Sequence, residues 1–127
     1  MKKAEVIVVM PAYNAAKTLV KTFRDIPKGV ADSVILVDDG SRDETVAVAR
    51  KLGLRVEVHP QNRGYGANQK TCYTLALSAG ADIVVMVHPD YQYDSSLTGD
   101  LIKPILDGRF DIMLASRIPT RAEAQAR

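Results

Sequence analysis

The stretch Val34-Ile-Leu-Val-Asp38-Asp39-Gly40-Ser-Arg-Asp43-Glu-Thr45 decides the fold class of this chain. Its apolar part, residues 33–37, is continuous and rich in β-branched side chains, which predicts a buried strand. Asp38 and Asp39 then fall at the carboxyl end of that strand. Ligands of open α/β sheets bind outside the carboxyl ends of the strands, so we expect a nucleotide beside these two acids.

The residues after the two acids predict a turn and a helix start. Gly40 permits a tight turn, and Ser41 or Asp43 can cap the helix that follows. Asp38 and Asp39 could therefore also serve only to shape a capped turn. Two consecutive acids at the end of a buried strand favour the binding role, because burying a carboxylate is costly.

Strand and helix patterns alternate on both sides of this stretch, which predicts an α/β fold with a mostly parallel sheet and helices on both faces. The strand over 82–87 is the most apolar and is predicted to be central, and Pro104 is predicted to interrupt or restart the last helix. We expect one domain over residues 1–118 and a flexible end over 119–127, which has no apolar periodicity. The predicted strands cover 5–10, 33–37, 54–58, 82–87 and 110–115, and the predicted helices cover 15–24, 43–52, 67–79 and 97–106.

The composition is that of a globular domain with a core. Hydrophobic residues make up 46% of the 127 residues and charged residues 25%. Seventeen Lys and Arg against 15 Asp and Glu leave a net charge of +2, which gives no support for nucleic-acid binding. The single cysteine, Cys72, allows no internal disulfide and is predicted to be a small buried residue on a helix.

The first residues resemble a signal peptide only superficially, since Glu5 and Pro11 bound a short apolar run. We interpret this run as the first strand. No apolar stretch approaches the length of a membrane span. We expect a cytoplasmic protein, which could still act at a membrane through regions outside this sequence.

Four polar clusters follow predicted strands and should meet at one rim of the sheet. In the third cluster, backbone N–H groups at a glycine-containing helix start can bind an anion, and Arg63 or Lys70 can add positive charge. A solvated helix start explains this cluster equally well. The clusters span residues 11–14, 38–41, 62–66 and 88–94.

The fourth cluster offers metal ligands. Asp90 and Gln92 carry hard oxygen atoms two residues apart, and a carboxylate there can share a divalent cation with a diphosphate. His88 could bind Mn²⁺, contact a phosphate or close the turn. The same His-Pro-Asp tripeptide occurs in J-domain co-chaperones, but there it joins two helices, whereas here it follows a strand pattern. Tyr91 and Tyr93 are predicted to be packing residues.

Taken together, the segments resemble the inverting family 2 glycosyltransferases of the GT-A fold, in particular the dolichol-phosphate mannose synthase type. The resemblance runs over residues 5–117 and implies a Rossmann-like, three-layer GT-A sheet that is truncated here. The matching segments are residues 8–14, 37–43, 62–66, 88–92 and 115–117.

The resemblance also implies a donor site and a chemistry. The expected reaction is direct displacement at the anomeric carbon of a nucleotide-diphosphate sugar, with a polyprenyl phosphate or a glycan as acceptor, and a role in cell-wall biogenesis. The metal, Mg²⁺ or Mn²⁺, would be held by Asp90, Gln92 and His88. The residues implied to bind the nucleotide-sugar are Pro11, Ala12, Tyr13, Asn14, Asp38, Asp39, Gly40, Gly66, Lys70, His88, Pro89, Asp90 and Arg117.

The chain departs from the family pattern in two ways. His88 replaces the first carboxylate of the Asp-x-Asp motif, which should weaken metal binding or favour ions that accept imidazole. The usual catalytic base of this family lies beyond the last predicted strand, so no residue is assigned to that role. We interpret the chain as the donor-binding half of a longer enzyme, one that by itself could be inactive.

Two other function classes stay open. A nucleotidyltransferase would favour a glycine-rich loop with a basic residue after the first strand, where this chain has Pro11-Ala-Tyr-Asn14. A non-catalytic α/β module could bind a nucleotide or self-associate through an exposed sheet edge, which would produce a homodimer.

Overall fold

The computed structural model describes residues 3–91 and 94–114 and contains a parallel sheet with helices on both faces. The four strands of the described residues lie in the order β3-β2-β1-β4, and all three pairings are parallel. The strands are β1 (Val6–Ala12), β2 (Ser33–Asp38), β3 (Arg55–Val58) and β4 (Ile83–Met86). The α-helices are α1 (Ala16–Asp25), α2 (Thr45–Lys51), α3 (Tyr65–Ser78) and α4 (Thr98–Leu106), the last preceded by a 3₁₀ turn over Ser95–Leu97.

Strand β1 is the centre of the sheet. All seven of its residues are buried, because it pairs with β2 on one side and β4 on the other and is covered on both faces. Val8 and Met10 face a core shared with Leu19 of α1, whereas Ile7 and Val9 face the opposite side. The continuous apolar run of β1 is typical of a parallel strand buried on both faces.

The helices form the two outer layers. Helix α3 covers one face, where Cys72 and Ala76 pack against β1 and β2. Helices α1, α2 and α4 contribute to the core on the other face. Cys72 is fully buried as predicted, and this burial raises the pKa of its thiol to about 12. The predicted three-layer α/β architecture is therefore confirmed.

The strand order places a switch point at the carboxyl end of β1. The chain runs outward from β1 to β2 and β3, and then returns to the other side of β1 to form β4. Helix α3 makes this return across the face opposite to α1 and α2, and a reversal of strand order is where open α/β sheets bind their ligands.

Within the described part of the chain, the fourth strand is not central, contrary to the prediction. Strand β4 lies at an edge of the described sheet and pairs only with β1. Its sequence is nevertheless a continuous apolar run, which is the pattern that predicted a central strand. Its buried residues, Ile83 and Val85, belong to the core shared with α1, α2 and α4. An apolar run reports burial, and burial does not require a strand on each side.

Residues 110–114 are not a strand, contrary to the prediction. Phe110, Ile112 and Leu114 are exposed, and 112–114 instead border an apolar groove beside β4. Their alternating pattern suits a strand, but a strand also needs a hydrogen-bonding partner, which a pattern does not supply. Residue 115, the predicted end of this strand, lies outside the described residues.

The last helix is continuous past Pro104, so the predicted interruption was also wrong. Thr98 and Ile102 are buried on its inner face, and this packing holds the helix through to Leu106. Other boundaries shift by at most two residues: β1 includes Pro11 and Ala12, and α3 begins at Tyr65.

Gly40 is required by both its conformation and its surroundings. Its φ is +81°, and a Cβ atom there would lie 3.1 Å from the backbone nitrogen of Asn62. Gly29 has a similar φ of +85°, but nothing lies within 4 Å of its Cβ position. Comparing the two positions therefore separates the cost of the left-handed backbone, which both glycines share, from the cost of the steric contact, which only Gly40 has.

We predict that Gly40→Ala destabilises the chain more than Gly29→Ala. Each substitution should cost about 1–2 kcal/mol for the left-handed backbone, and Gly40→Ala about 1–3 kcal/mol more for the crowded loop. Urea unfolding followed by circular dichroism measures both. Equal losses for the two variants would show that the loop carrying Asn62 yields freely.

Candidate functional site

The loops after β1 and β2 are joined by hydrogen bonds. The Asn14 N–H donates to Ser41 Oγ at 2.8 Å, and Arg42 N–H donates to Asn14 Oδ1 at 2.8 Å. Asn14 adopts a positive φ of 50°, which asparagine tolerates better than most residues. Asn14, predicted to bind nucleotide, thus has its side-chain oxygen engaged in fixing the rim of the sheet.

Asp43 fastens the starts of two helices. Its carboxylate accepts the Thr45 N–H at 3.0 Å and the Thr45 hydroxyl, and it also accepts the Ala16 N–H at 3.1 Å. Burial would raise the pKa of Asp43, but these hydrogen bonds outweigh it and hold the pKa below its usual range. Of the two predicted caps, the structure assigns the role to Asp43.

Asp38 shapes the turn after β2. Its buried carboxylate accepts the N–H groups of Gly40 and Ser41 at 3.2 and 2.9 Å, and also the Ser41 hydroxyl. Asp38 is 1% exposed and does not line the pocket described below. Of the two predicted acids, Asp39 lines this pocket, and a nucleotide contact for Asp38 stays a prediction.

Asp39 holds a second loop against the end of β2. Its Oδ1 accepts the Arg63 N–H at 2.8 Å and lies 2.9 Å from His59 Nδ1, while its Oδ2 accepts the Gly64 N–H at 3.0 Å. Burial would raise the pKa of Asp39, but the hydrogen bonds from Arg63, His59 and Gly64 outweigh it and hold the pKa below its usual range. A buried, ionised carboxylate therefore lies at the carboxyl edge of the sheet.

A pocket of about 200 Å³ opens beside Asp39. Strand β1 and its loop form one wall, and the start of α3 forms the other. Asn68 stabilises the second wall, since its side-chain amide donates to the Val37 carbonyl at 3.0 Å. The lining residues are Pro11, Ala12, Tyr13, Asp39, Asn62, Gly64, Tyr65 and Asn68. Four of these, Pro11, Ala12, Tyr13 and Asp39, were predicted as site residues.

His88 and Tyr65 connect the end of β4 to the start of α3. Their ring centroids lie 5.5 Å apart with an interplanar angle of 22°, and the Tyr65 hydroxyl is 3.0 Å from His88 Nε2. Tyr65 also lines the 200 Å³ pocket. The motif after β4 thus adjoins the pocket at the switch point.

The loop after His88 is attached to α1. Thr18 Oγ1 donates to the Pro89 carbonyl at 2.5 Å, and the Tyr91 hydroxyl donates to Asp25 at 2.8 Å. Lys21 Nζ lies 4.2 Å from the centre of the Tyr91 ring. Tyr91 has a positive φ of 63°, so these contacts stabilise a backbone conformation that tyrosine rarely adopts.

The remaining predicted site residues either lie outside the 200 Å³ pocket or fall outside the described residues. Asp90 is exposed beyond β4, and Gly66 and Lys70 are exposed on α3 outside the pocket. Gly40 is used for the turn, and Pro89 is buried behind Asp90. Gln92, Tyr93 and Arg117, together with the predicted end over 119–127, lie outside the described residues.

The described residues hold no group of three or more His, Cys, Asp or Glu side chains that could enclose a metal ion. Asp90 offers a single exposed carboxylate. Such a donor set fits Mg²⁺ or Mn²⁺ only when a ligand supplies further oxygen atoms, which is how these ions commonly bind with phosphates.

A larger groove of about 960 Å³ lies on the other side of His88. It runs between α3, β4 and α4, and its walls include Tyr73, Met86, Leu101 and Ile105.

Among residues 3–91 and 94–114, no helix is long and apolar enough to cross a membrane.

Sequence reasoning missed Tyr65, Asn68 and the bridging role of His59. Asn68 and His59 are buried polar residues, at 3% and 4% exposure. The sequence holds two hints of these roles: His59 directly follows a strand, and Asn68 lies one turn into a helix. Neither position reveals its partner until the sheet is assembled.

Comparison with known proteins agrees with this geometry. The chain is 27% identical over 135 residues to a UDP-N-acetylglucosamine–dolichyl-phosphate N-acetylglucosaminyltransferase of Methanococcus voltae, covering 93% of this chain and 54% of the relative. It is 30% identical over 126 residues to a dolichyl-phosphate hexose transferase of Haloferax volcanii, covering 97% and 52%. The chain therefore spans about half the length of these curated relatives.

A solved structure shares the fold. Glucosyl-3-phosphoglycerate synthase from Mycobacterium tuberculosis, crystallised with Mn²⁺, UDP-glucose and phosphoglyceric acid, superposes with a TM-score of 0.68 at 27% identity. The match covers 83% of this chain and 40% of that one. The sequence model described as Glycosyl transferase family 2 matches residues 7–125. The chain belongs to glycosyl transferase family 2, as its strand-end motifs predicted.

Proposed function

We propose that this chain binds the nucleotide-diphosphate sugar donor of a glycosyltransferase and that the enzyme transfers the sugar to an acceptor. The observation that carries the proposal is the pocket at the switch point, where ionised Asp39 lies between the β1 loop and the start of α3. Crevices in this position bind nucleotides in open α/β sheets. One relative named above is an N-acetylglucosaminyltransferase that uses a UDP-sugar, and the structurally similar synthase was crystallised with UDP-glucose.

Of the parts of a nucleotide-sugar, we place the nucleoside in the 200 Å³ pocket. Tyr13 is half exposed and offers a ring face, while Asp39 offers acceptor oxygen atoms for an N–H of the base or a ribose hydroxyl. The diphosphate would then extend toward His88 and Asp90, past the first turn of α3. Backbone N–H groups of that turn favour negative charge.

Asp90 and, by the motif, Gln92 would hold Mg²⁺ or Mn²⁺ together with the diphosphate. When bound, the cation offsets negative charge on the nucleoside diphosphate as it leaves. The Mycobacterium tuberculosis synthase was crystallised with Mn²⁺ and UDP, which supports this choice. His88 lies beside the same path, with Tyr65 against its ring.

The proposed reaction is a direct displacement. An acceptor oxygen forms a bond to the anomeric carbon while the bond from that carbon to the diphosphate breaks, and the nucleoside diphosphate leaves with the electron pair. We propose a polyprenyl phosphate as acceptor, because two similar proteins are dolichyl-phosphate sugar transferases. A phosphate is largely ionised near pH 7, so its oxygen can attack without a separate base.

Three expectations stay predictions of the sequence: a cytoplasmic location, a role in cell-wall biogenesis and a homodimer. The assignment of the individual site residues is likewise part of this proposal. For the homodimer, we propose the edge that β4 forms among the described strands, since edge strands present unpaired backbone groups.

We predict that the chain binds one of UDP, GDP and dTDP and that Mn²⁺ strengthens the binding. Asp39→Ala should weaken binding of that nucleotide by about tenfold or more with or without metal, because a buried acceptor is lost. Asp90→Asn should remove only the gain from Mn²⁺. Isothermal titration calorimetry measures each Kd, and Asp107→Ala, an exposed residue after α4, is the control. A folded chain that binds none of the three would contradict the proposal.

We predict that His88→Asp tightens Mn²⁺-dependent nucleotide binding. A carboxylate adds negative charge and a hard ligand, which should lower the Kd by about tenfold, equivalent to about 1.4 kcal/mol. The substitution also removes the contact with Tyr65, so Tyr65→Phe, which deletes only the hydroxyl, is the matched control. Unchanged Mn²⁺ dependence in His88→Asp would show that residue 88 is not a metal ligand.

The acceptor is tested by transfer from a radiolabelled nucleotide-sugar to lipid, with the sugar nucleotide chosen by the calorimetry. Label should enter the organic phase with dolichyl phosphate and not with dolichol, which lacks the ionised oxygen. Equal labelling of both lipids would exclude a phosphate-specific acceptor.

A further inference from the structure

His59 is a buried titratable residue that the proposed binding mode does not use. It directly follows β3, is 4% exposed and does not line the 200 Å³ pocket. Its backbone N–H donates to the Asp38 carbonyl at 2.9 Å, which continues the pairing of β2 with β3 by one residue. The imidazole is therefore held at a fixed place behind Asp39.

The His59 ring bridges the end of β2 and helix α3. Nδ1 lies 2.9 Å from Asp39 Oδ1 at the end of β2, and Nε2 lies 2.9 Å from Thr71 Oγ1 on α3. The Thr71 hydroxyl is itself held, because it donates to the Ala67 carbonyl at 3.1 Å one turn earlier in α3. One rigid ring thus sets the spacing between β2 and the helix that carries Tyr65 and Asn68.

The contact with Asp39 requires a proton on the nearer ring nitrogen. Asp39 is ionised and accepts hydrogen bonds, so His59 Nδ1 must carry a proton and donate it. The other donors to Asp39 come from the backbone of Arg63 and Gly64 in a single loop. Without His59, Oδ1 loses its side-chain donor, and only the loop would orient the carboxylate.

We propose that His59 is a positioning residue for nucleotide binding, one that aims the Asp39 carboxylate into the pocket and holds α3 at the spacing the base requires. This inference rests on the proposed function of the pocket. The competing explanation is a core histidine that stabilises the fold and has no effect on ligand binding beyond it. The two explanations differ in which nitrogen of the ring matters.

Two substitutions separate the ring nitrogens. The amide nitrogen of Asn in His59→Asn can occupy the place of Nδ1, whereas that of Gln in His59→Gln can occupy the place of Nε2. Thr71→Val removes the partner of Nε2, and Thr74→Val, on the exposed face of the same helix, is its control. Urea unfolding of every variant records how much stability each change costs.

The first measurement is the Kd of UDP, GDP and dTDP with Mn²⁺ for these variants. We expect His59→Gln to weaken the nucleotide that the wild type binds by about tenfold, and His59→Asn to restore affinity to within about threefold of the wild type. Thr71→Val should weaken binding by no more than about threefold, as His59→Asn does, because both variants lose only the contact at Nε2, and Thr74→Val should leave binding unchanged. Affinities that follow unfolding stability and ignore the Asn–Gln difference would overturn the positioning role.

The second measurement needs no nucleotide. In ¹⁵N-resolved NMR of the free chain, the His59 Nδ1 proton should be observed, protected from exchange, and it should be lost or shifted in Asp39→Asn. An unprotonated Nδ1 would overturn this proposal while leaving nucleotide binding intact. A wild-type chain that shows the protected proton but binds none of the three nucleotides would overturn the proposed function, and the role of His59 with it.

Discussion

The buried Asp39 carboxylate is the interaction on which the site depends. It directly follows β2, yet its three hydrogen-bond donors come from residues 59, 63 and 64, which lie 20 to 25 positions further along the chain. Because a buried charge without donors is strongly unfavourable, the loop between β3 and α3 must fold onto the end of β2. That loop brings Asn62, Gly64 and Tyr65 into the pocket. A single carboxylate therefore both organises the site and faces it.

The sheet supplies the frame for this interaction. Strand β1 is buried throughout, its residues 6–9 pair with β4, and its pairing with β2 continues to its carboxyl end. The loops beyond β1 and β2 are joined through Asn14, Ser41 and Thr45, and the loop beyond β4 is attached to α1 through Thr18 and Tyr91. Rigid elements that hold a binding site in this way reduce the ordering that a ligand must bring about.

Neighbouring acids in the sequence have different roles here. Asp38 closes the turn, Asp39 fastens a distant loop and borders the pocket, and Asp43 caps two helix starts. The pattern Asp-Asp-Gly-Ser predicts a turn with acids at its start, and that prediction is confirmed. Which acid faces the pocket depends on the alternation of side chains at the end of β2 and on the loop from residue 59, neither of which the motif contains.

The sequence by itself determined the α/β class, the placement of β1 and β2, the burial of Cys72 and the family, because these depend on local hydrophobic patterns and on short motifs at strand ends. Only the tertiary structure decided that β4 lies at an edge of the described sheet and that residues 110–114 form no strand, since pairing requires a partner strand. It also decided that His59 meets Asp39 and Thr71, and that Tyr65 stacks on His88. Such contacts join residues 12 to 23 positions apart, and their geometry exists only once the parallel sheet has brought the strand ends together.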